Sequence, residues 1–329
     1  LQQIGRALAK EAYKREIAMR LRKLGATDLR IAPLVLGGNV FGWTANRETS
    51  FAILDGFLEA GFNAIDTADV YNRYAPGLKG GESETTVGAW MKDRGVRNRI
   101  VLITKGGLEM GEGMKGLGRR YLSSACEASL TRLQTDYIDV YMAHRADPEV
   151  PIEETLETNQ ILIDAGKIRY AGCSNYTADE LSAALAASGS DRARYEVFEP
   201  HYNLIERSKY EGAPERVCVD RGVGVIAYYA LAAGFLTGKY RSQEDLAGSA
   251  RGRVVAEYLN PRGLKLLNAL DIVAASHGVT PAQVALAWLM ARPSVTAPIA
   301  SATSVEQLSD ILKSADLTLA PEDFTVLGL

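Results

Sequence analysis

The chain is poor in the residues that staple small or metal-dependent proteins together. Among 329 residues there are only three cysteines and three histidines. Cys126, Cys173 and Cys218 form no CxxC and are too few for a disulfide framework, which suits a reducing cytosol. His144, His201 and His277 lie far apart without metal-ligand spacing, so no structural or catalytic metal is expected. No basic stripe with interleaved aromatics occurs, and the formal net charge is −3, which argues against nucleic-acid binding. No apolar run reaches membrane-spanning length. The expectation is a cytoplasmic protein whose 47% hydrophobic residues bury one large core.

What is present is a rhythm. Short β-branched or aromatic runs recur at Ile31 to Gly38, Phe62 to Asp69, Ile100 to Gly107 and Tyr137 to His144. They continue at Lys167 to Asn175, Tyr195 to Asn203, Gly222 to Leu231 and Val295 to Thr303. Helix-like stretches separate most of them. Phe51, Leu54, Phe57 and Leu58 share one face of a segment that stops at Gly61; Leu122, Ala125, Leu130 and Leu133 repeat the pattern. Pro281 opens another helix in its first turn. Strands alternating with helices indicate a parallel sheet, and eight of them predict a closed (β/α)8 TIM barrel of the α/β class. The stretch from Leu236 to Pro261 is too long for a plain connection and reads as a functional loop.

Three of the strand-like runs end in chemistry. Asp66 and Tyr71 lie in AIDTADVY, Lys105 in VLITKGG and His144 in DVYMAHRAD. Tyrosine is a weak acid with a reference pKa of about 10, a neighbouring ammonium favours its phenolate, and a carboxylate can hold that ammonium in place. Such a set protonates a carbonyl oxygen as hydride reaches its carbon. Taken singly, the lysine reads as a surface ion pair, the tyrosine as a rim residue and the histidine as a loop hydrogen bonder. Their joint position at the barrel face where such folds build active sites favours the catalytic reading.

Residues 1–18, LQQIGRALAKEAYKREIA, read as a charged amphipathic helix without the apolar centre of a signal peptide. Met19 looks like a natural start, so residues 1–18 are expected to be an appended helix and 19–329 the barrel. RLRKLGATDLRI, with turn residues Gly25 to Asp28, reads as a hairpin.

Together AIDTADVY, GGESETTVG, LITK, YIDVYMAH, GKIRYAGCSNY, YNLIER, GVGVIAYYALAAGFLTGKY and PIASATSVEQL resemble the aldo-keto reductase family from Met19 to Leu329. The resemblance implies a barrel whose bottom is closed by the hairpin, and NADP(H)-dependent reduction of aldehydes or ketones. It makes Tyr71 the proton donor, Lys105 the group that depresses its pKa, Asp66 the partner of that lysine and His144 the residue that orients the carbonyl. Ser174 and Asn175 would hold the nicotinamide carboxamide beside Glu199, and Tyr228 would stack beneath the ring. Tyr229, Ala230, Leu231, Ala232, Gly234 and Lys239 would wrap the pyrophosphate. Ser301, Thr303, Gln307 and Asp310 would meet the adenosine 2′-phosphate and adenine, and Gly38 and Asn39 would bring backbone close to the cofactor.

Against the family pattern, Glu199 stands where glutamine is usual, Tyr229 and Ala230 where Ser-Pro is usual, Thr303 for a basic residue and Ile311 for asparagine. Loss of a charge-assisted phosphate contact leaves NAD(H) open as the cofactor. The rival readings are a cofactor-binding regulatory subunit on the same fold and NAD-linked alcohol oxidation. The expected partner is a small-molecule carbonyl substrate, with no nucleic acid and no membrane. Neither the substrate nor the oligomeric state is readable.

Overall fold

In a computed structural model, residues 21–247, 249 and 251–328 are described; the proposed helix at 1–18 and the start at Met19 lie outside them. Eight parallel strands close into a barrel. They are β3 (Val35–Gly37), β4 (Ala64–Asp66), β5 (Val101–Gly106), β6 (Ile138–Ala143), β7 (Ile168–Ser174), β8 (Tyr195–Glu199), β9 (Gly224–Ala227) and β10 (Ala297–Ala300), with β10 paired to both β9 and β3. Each lies inside one of the runs anticipated from the sequence. The runs overshoot at their C-terminal ends because Thr67–Asp69, Pro200–Asn203 and Tyr228–Leu231 leave the ladder to build loops at the barrel mouth.

β1 (Arg22–Lys23) and β2 (Arg30–Ile31) form the antiparallel hairpin, locked by the Thr27 hydroxyl donating to the Leu24 carbonyl at 2.6 Å. Leu24, Leu29 and Ile31 pack with Val35, Ala64, Ile103, Val140, Val197 and Ile226, the inward residues of the strands. The hairpin therefore plugs the bottom of the barrel. Only glycine permits this approach. A Cβ at Gly25, whose φ is +59°, would stand 2.4 Å from the Gly224 nitrogen.

The helices sheathe the barrel, and their caps explain their limits. Arg47–Glu59 starts at Asn46, whose side chain accepts from the Thr49 N–H; it buries Ile53, Leu54, Phe57 and Leu58. Phe51 is half-buried at the edge of that face, packed against the core and met by the Arg47 and Arg94 guanidinium groups. Arg119–Leu133 buries Leu122, Ala125, Leu130 and Leu133 as expected. Pro281–Met290 has Thr280 as its cap and Pro281 in its first turn. The stretch expected as one long loop contains a 3-10 turn at Glu244–Leu246 and a short helix at Gly252–Ala256, packed through Val255. Among the described residues no single helix is long and apolar enough to cross a membrane.

Candidate active site

Parallel pairing sets the height of each functional side chain. Asp66 ends β4 beside Ile103, Lys105 follows two residues later on β5 beside Met142, and Ser174 on β7 pairs with Glu199 on β8. Asp66, Lys105 and Glu199 consequently point into one buried space at the C-terminal mouth. Lys105 Nζ donates to Asp66 Oδ1 at 2.5 Å, to the Thr67 carbonyl at 3.0 Å and to the Tyr71 hydroxyl at 2.9 Å. The Tyr71 hydroxyl in turn donates to Asp66 Oδ2 at 2.9 Å. The His144 ring meets Tyr71 edge-on with centroids 6.2 Å apart. All four residues expected to act together are thus in one cluster.

Its electrostatics depart from the simplest expectation. Burial would lower the Lys105 pKa, but the Asp66 carboxylate first, with the Glu199 carboxyl behind it, outweighs it and holds the ammonium well above its usual value. Burial and the Asp66 charge raise the Tyr71 pKa well above the ordinary phenol, with Lys105 pulling the other way and losing. Lys105 therefore acts in the anticipated direction without lowering the phenol overall, and Tyr71 stands as a neutral phenol with a proton to give. Burial, then the charges of Lys105 and Arg145, drive the His144 pKa down to about 3, so its imidazole is neutral. His144 Nδ1 is buried with no hydrogen-bond partner.

The mouth beside this cluster carries a tyrosine and, after it, a turn of left-handed residues. Tyr228, just past β9, is half-buried and packs against the inner barrel core, and its hydroxyl donates to Asn175 Oδ1 at 2.6 Å. Asn175, left-handed at φ 58°, donates from Nδ2 to the His144 carbonyl and to Ser174 Oγ. Helix capping is no explanation for Ser174 and Asn175, because Thr177 and Glu180 form that capping box. His201, which the sequence marks only as structural, lies against Tyr228 and Tyr229 at 5.3 and 5.0 Å and braces them.

Beyond Tyr229 the chain turns through left-handed residues at Tyr229, Ala232, Ala233 and Gly234. Ala230 and Ala232 are buried, and Leu231 packs partly against the core. Lys239 Nζ lies 4.0 Å from where a Gly234 Cβ would stand. Turns of this kind beside an ammonium suit a pyrophosphate. After the adjoining strands β10 and β3, the Gly38 N–H donates to the Asp66 carbonyl, and the Ser301 hydroxyl donates to Asn39 Oδ1 at 2.7 Å. Thr303 is joined to Gln307 Oε1 through its N–H and hydroxyl. Asp310 stands apart from them, accepting from Thr280 Oγ1 and Gln283 Nε2 at the start of the next helix over. The residues present could hold a dinucleotide; its adenine end has no basic side chain at Thr303.

A run farther along, GEGMKG at 111–116, matches the letters of a dinucleotide-binding turn. It forms a small hairpin instead, with the Met114 N–H bonded to the Gly111 carbonyl, and the helix begins only at Arg119. Its role is in the rim: Arg73 Nη1 donates to the Glu109 carbonyl, tying this loop to the one after Tyr71. Trp43, Tyr74 and Met114 are exposed on these loops.

Asp69 carries no signal in the sequence that sets it apart. It sits between Asp66 and Tyr71, is 1% exposed, and neither carboxyl oxygen has a partner. Burial first, then the nearby Glu84 charge, push its pKa up to about 8, with Arg132 opposing. Glu84 itself is engaged by Thr104 and Arg132, each at 2.6 Å. A carboxyl raised on folding binds its proton more tightly folded than unfolded. Its stabilising effect is complete below the unfolded pKa of about 4 and is lost as pH rises toward the folded value. Asp69→Asn should therefore gain melting temperature over the parent at about pH 8.5 relative to about pH 5, by an effect on the order of several kcal/mol. Parallel pH dependences of the two melting temperatures would refute this.

A family model described as the aldo/keto reductase family matches residues 33–327. An uncharacterized oxidoreductase, YrpG, of Bacillus subtilis is 34% identical over 94% of this chain and 95% of its own length. A probable voltage-gated potassium channel subunit beta of Oryza sativa is 32% identical over 92% of this chain and 94% of its own. The aldo-keto reductase AFTS1 of Alternaria alternata is 30% identical over 92% and 89% respectively. With a closed barrel and a match spanning nearly all its described residues, the chain belongs to the aldo/keto reductase family.

Proposed function

We propose that this protein is an NADP(H)-dependent carbonyl reductase that converts aldehydes or ketones to alcohols, with Tyr71 as proton donor. The observation that carries the reading is the neutral Tyr71 phenol, hydrogen-bonded to a buried Lys105–Asp66 pair and next to a neutral His144. NADPH, if held by Ser174, Asn175 and Tyr228, would supply the hydride for the carbonyl carbon. Tyr71 gives its proton to the carbonyl oxygen, and the resulting phenolate is stabilised by the Lys105 ammonium 2.9 Å away. Asp66 fixes Lys105 in position. His144, unable to charge at neutral pH, offers a neutral N–H to orient the carbonyl without competing as an acid. Trp43, Tyr74 and Met114 supply apolar walls for the substrate.

Similarity to a channel subunit named as such keeps the regulatory reading in view. A protein serving only to sense cofactor has no need of a complete proton-donor cluster. Purified protein should oxidise NADPH when offered a panel of aldehydes and ketones, and transfer deuterium, as deuteride, from the nicotinamide of labelled cofactor to the alcohol carbon. Cofactor binding without turnover on any carbonyl would favour the regulatory reading instead. A clear preference for NADH would shift the assignment of the cofactor.

A further inference from the structure

Lys105 serves two carboxyl groups, not one. Besides Asp66 at 2.5 Å, its Nζ faces Glu199 Oε2 at 3.4 Å. Glu199 is 2% exposed, and this oxygen has no hydrogen-bond partner. The titratable groups around it are Asp66 at the end of β4, Tyr71 in the loop beyond, Lys105 on β5 and Tyr228 after β9. Two buried carboxyls sharing one ammonium cannot both ionise without leaving an uncompensated charge in a low-dielectric site. Both Asp66 oxygens accept hydrogen bonds, from Lys105 and Tyr71, whereas Glu199 Oε2 is left without one. The proton therefore belongs on Glu199. Burial and the Asp66 charge push its pKa well above the ordinary carboxyl range in agreement.

We propose that Glu199 is a proton store for Tyr71, refilling the donor through Lys105 after each reduction. This rests on the carbonyl-reductase reading and adds a residue to it. As hydride reaches the carbonyl carbon, the Tyr71 O–H bond breaks and the alcohol O–H bond forms. The phenolate takes a proton from the Lys105 ammonium, and the neutral amine takes the carboxyl proton of Glu199. Glu199 regains a proton from water when product leaves. No proton is created or lost, and the only reductant is the nicotinamide hydride. A glutamine at this position could not take part, because its amide has no acidic proton to pass on. Glu199 acts through Lys105 and supports the donor rather than touching the substrate.

The test compares the parent with Glu199→Gln, an isosteric change, and with Asp69→Asn as a control for the other protonated buried carboxyl. The first readout needs neither cofactor nor substrate. Infrared spectra of the unliganded protein at neutral pH should contain a carboxylic-acid C=O band from Glu199, shifted in deuterium oxide. That band should be absent from Glu199→Gln and retained in Asp69→Asn. The second readout is kinetic. Glu199→Gln should show a steady-state kcat lower by about tenfold or more than its own first-turnover rate, a gap the parent lacks. The decisive comparison is within the variant, its steady-state kcat against its own first turnover, and its kcat should also gain dependence on pH and buffer concentration, because protons must then come directly from solution.

Retention of the Glu199 band in the Gln variant would overturn the proposal, as would an unchanged kcat and pH profile. A first turnover slowed as much as kcat would place Glu199 in the chemical step and equally overturn it. If no carbonyl is reduced even by the parent, the functional reading fails while the infrared result still reports where the proton sits.

Discussion

Tyr71→Phe should lose carbonyl reduction by roughly 10²–10⁴-fold in kcat, the usual contribution of a general acid. The phenol is the one group in the cluster that has a proton to give, lies next to the open mouth and can leave its charge beside an ammonium. Phenylalanine keeps the ring, and with it the edge contact to His144 at 6.2 Å. Fold and cofactor affinity should therefore survive, with stability altered by about 1 kcal/mol for the lost hydrogen bonds. Steady-state rates on the best substrate and cofactor titration by fluorescence decide the matter. Near-normal turnover by the Phe variant would remove Tyr71 from the mechanism. Because burial and Asp66 hold the phenol well above its ordinary pKa, reduction by the parent should also show no acidic or neutral limb from this group; its rate should fall only on the alkaline side.

Lys105→Met should be as damaging to turnover and, unlike the tyrosine change, damaging to the fold. Lys105 is fully buried and is the one cation within salt-bridge reach of Asp66 and Glu199 among the described residues. Methionine fills the stem's volume but leaves two buried carboxyls facing each other. Breaking one partner out of a buried ion pair costs about 3–5 kcal/mol, softened here as the carboxyls take up protons. Denaturant midpoints and kcat should fall together, by a factor in the same roughly 10²–10⁴ range for kcat. The destabilisation should be smaller at about pH 4 than at about pH 8, because protonation relieves the stranded charges. A variant as stable as the parent at neutral pH would mean that the pair is not held as described.

These two changes fall on residues that are legible in the sequence itself. Asp66, Tyr71, Lys105 and His144 each end or follow a β-branched run, and position at a strand end is a local property of sequence. The eight strands and the hairpin are legible for the same reason: alternation, turn residues and helix caps act over a few residues. The long stretch that ends at Pro261 is less legible. Its 3-10 turn and short helix are stabilised by packing of Val255 rather than by any periodic pattern. Phe51 has the spacing of a core residue and packs against the core, yet its other side is covered by two arginines, which apolar spacing alone does not announce.

Sequence by itself determined the family, the barrel and the strand ends that carry Asp66, Tyr71, Lys105 and His144, since these depend on residue types at fixed local spacings. The state of that cluster was decided by tertiary structure. The charge on a carboxyl depends on its distance to other charges and on the water around it, and both are set by strands remote in sequence. Hence Glu199, visible only as an unusual substitution, became a second carboxyl at 3.4 Å from Lys105. Asp69, one more acidic letter in DTADVY, became a buried group with its pKa at about 8. His201, an isolated histidine, became the brace of Tyr228 because β8 and β9 lie side by side in the barrel. Burial in a closed barrel converts ordinary side chains into neutral acids and retained cations, and that conversion has no signature in the order of the residues.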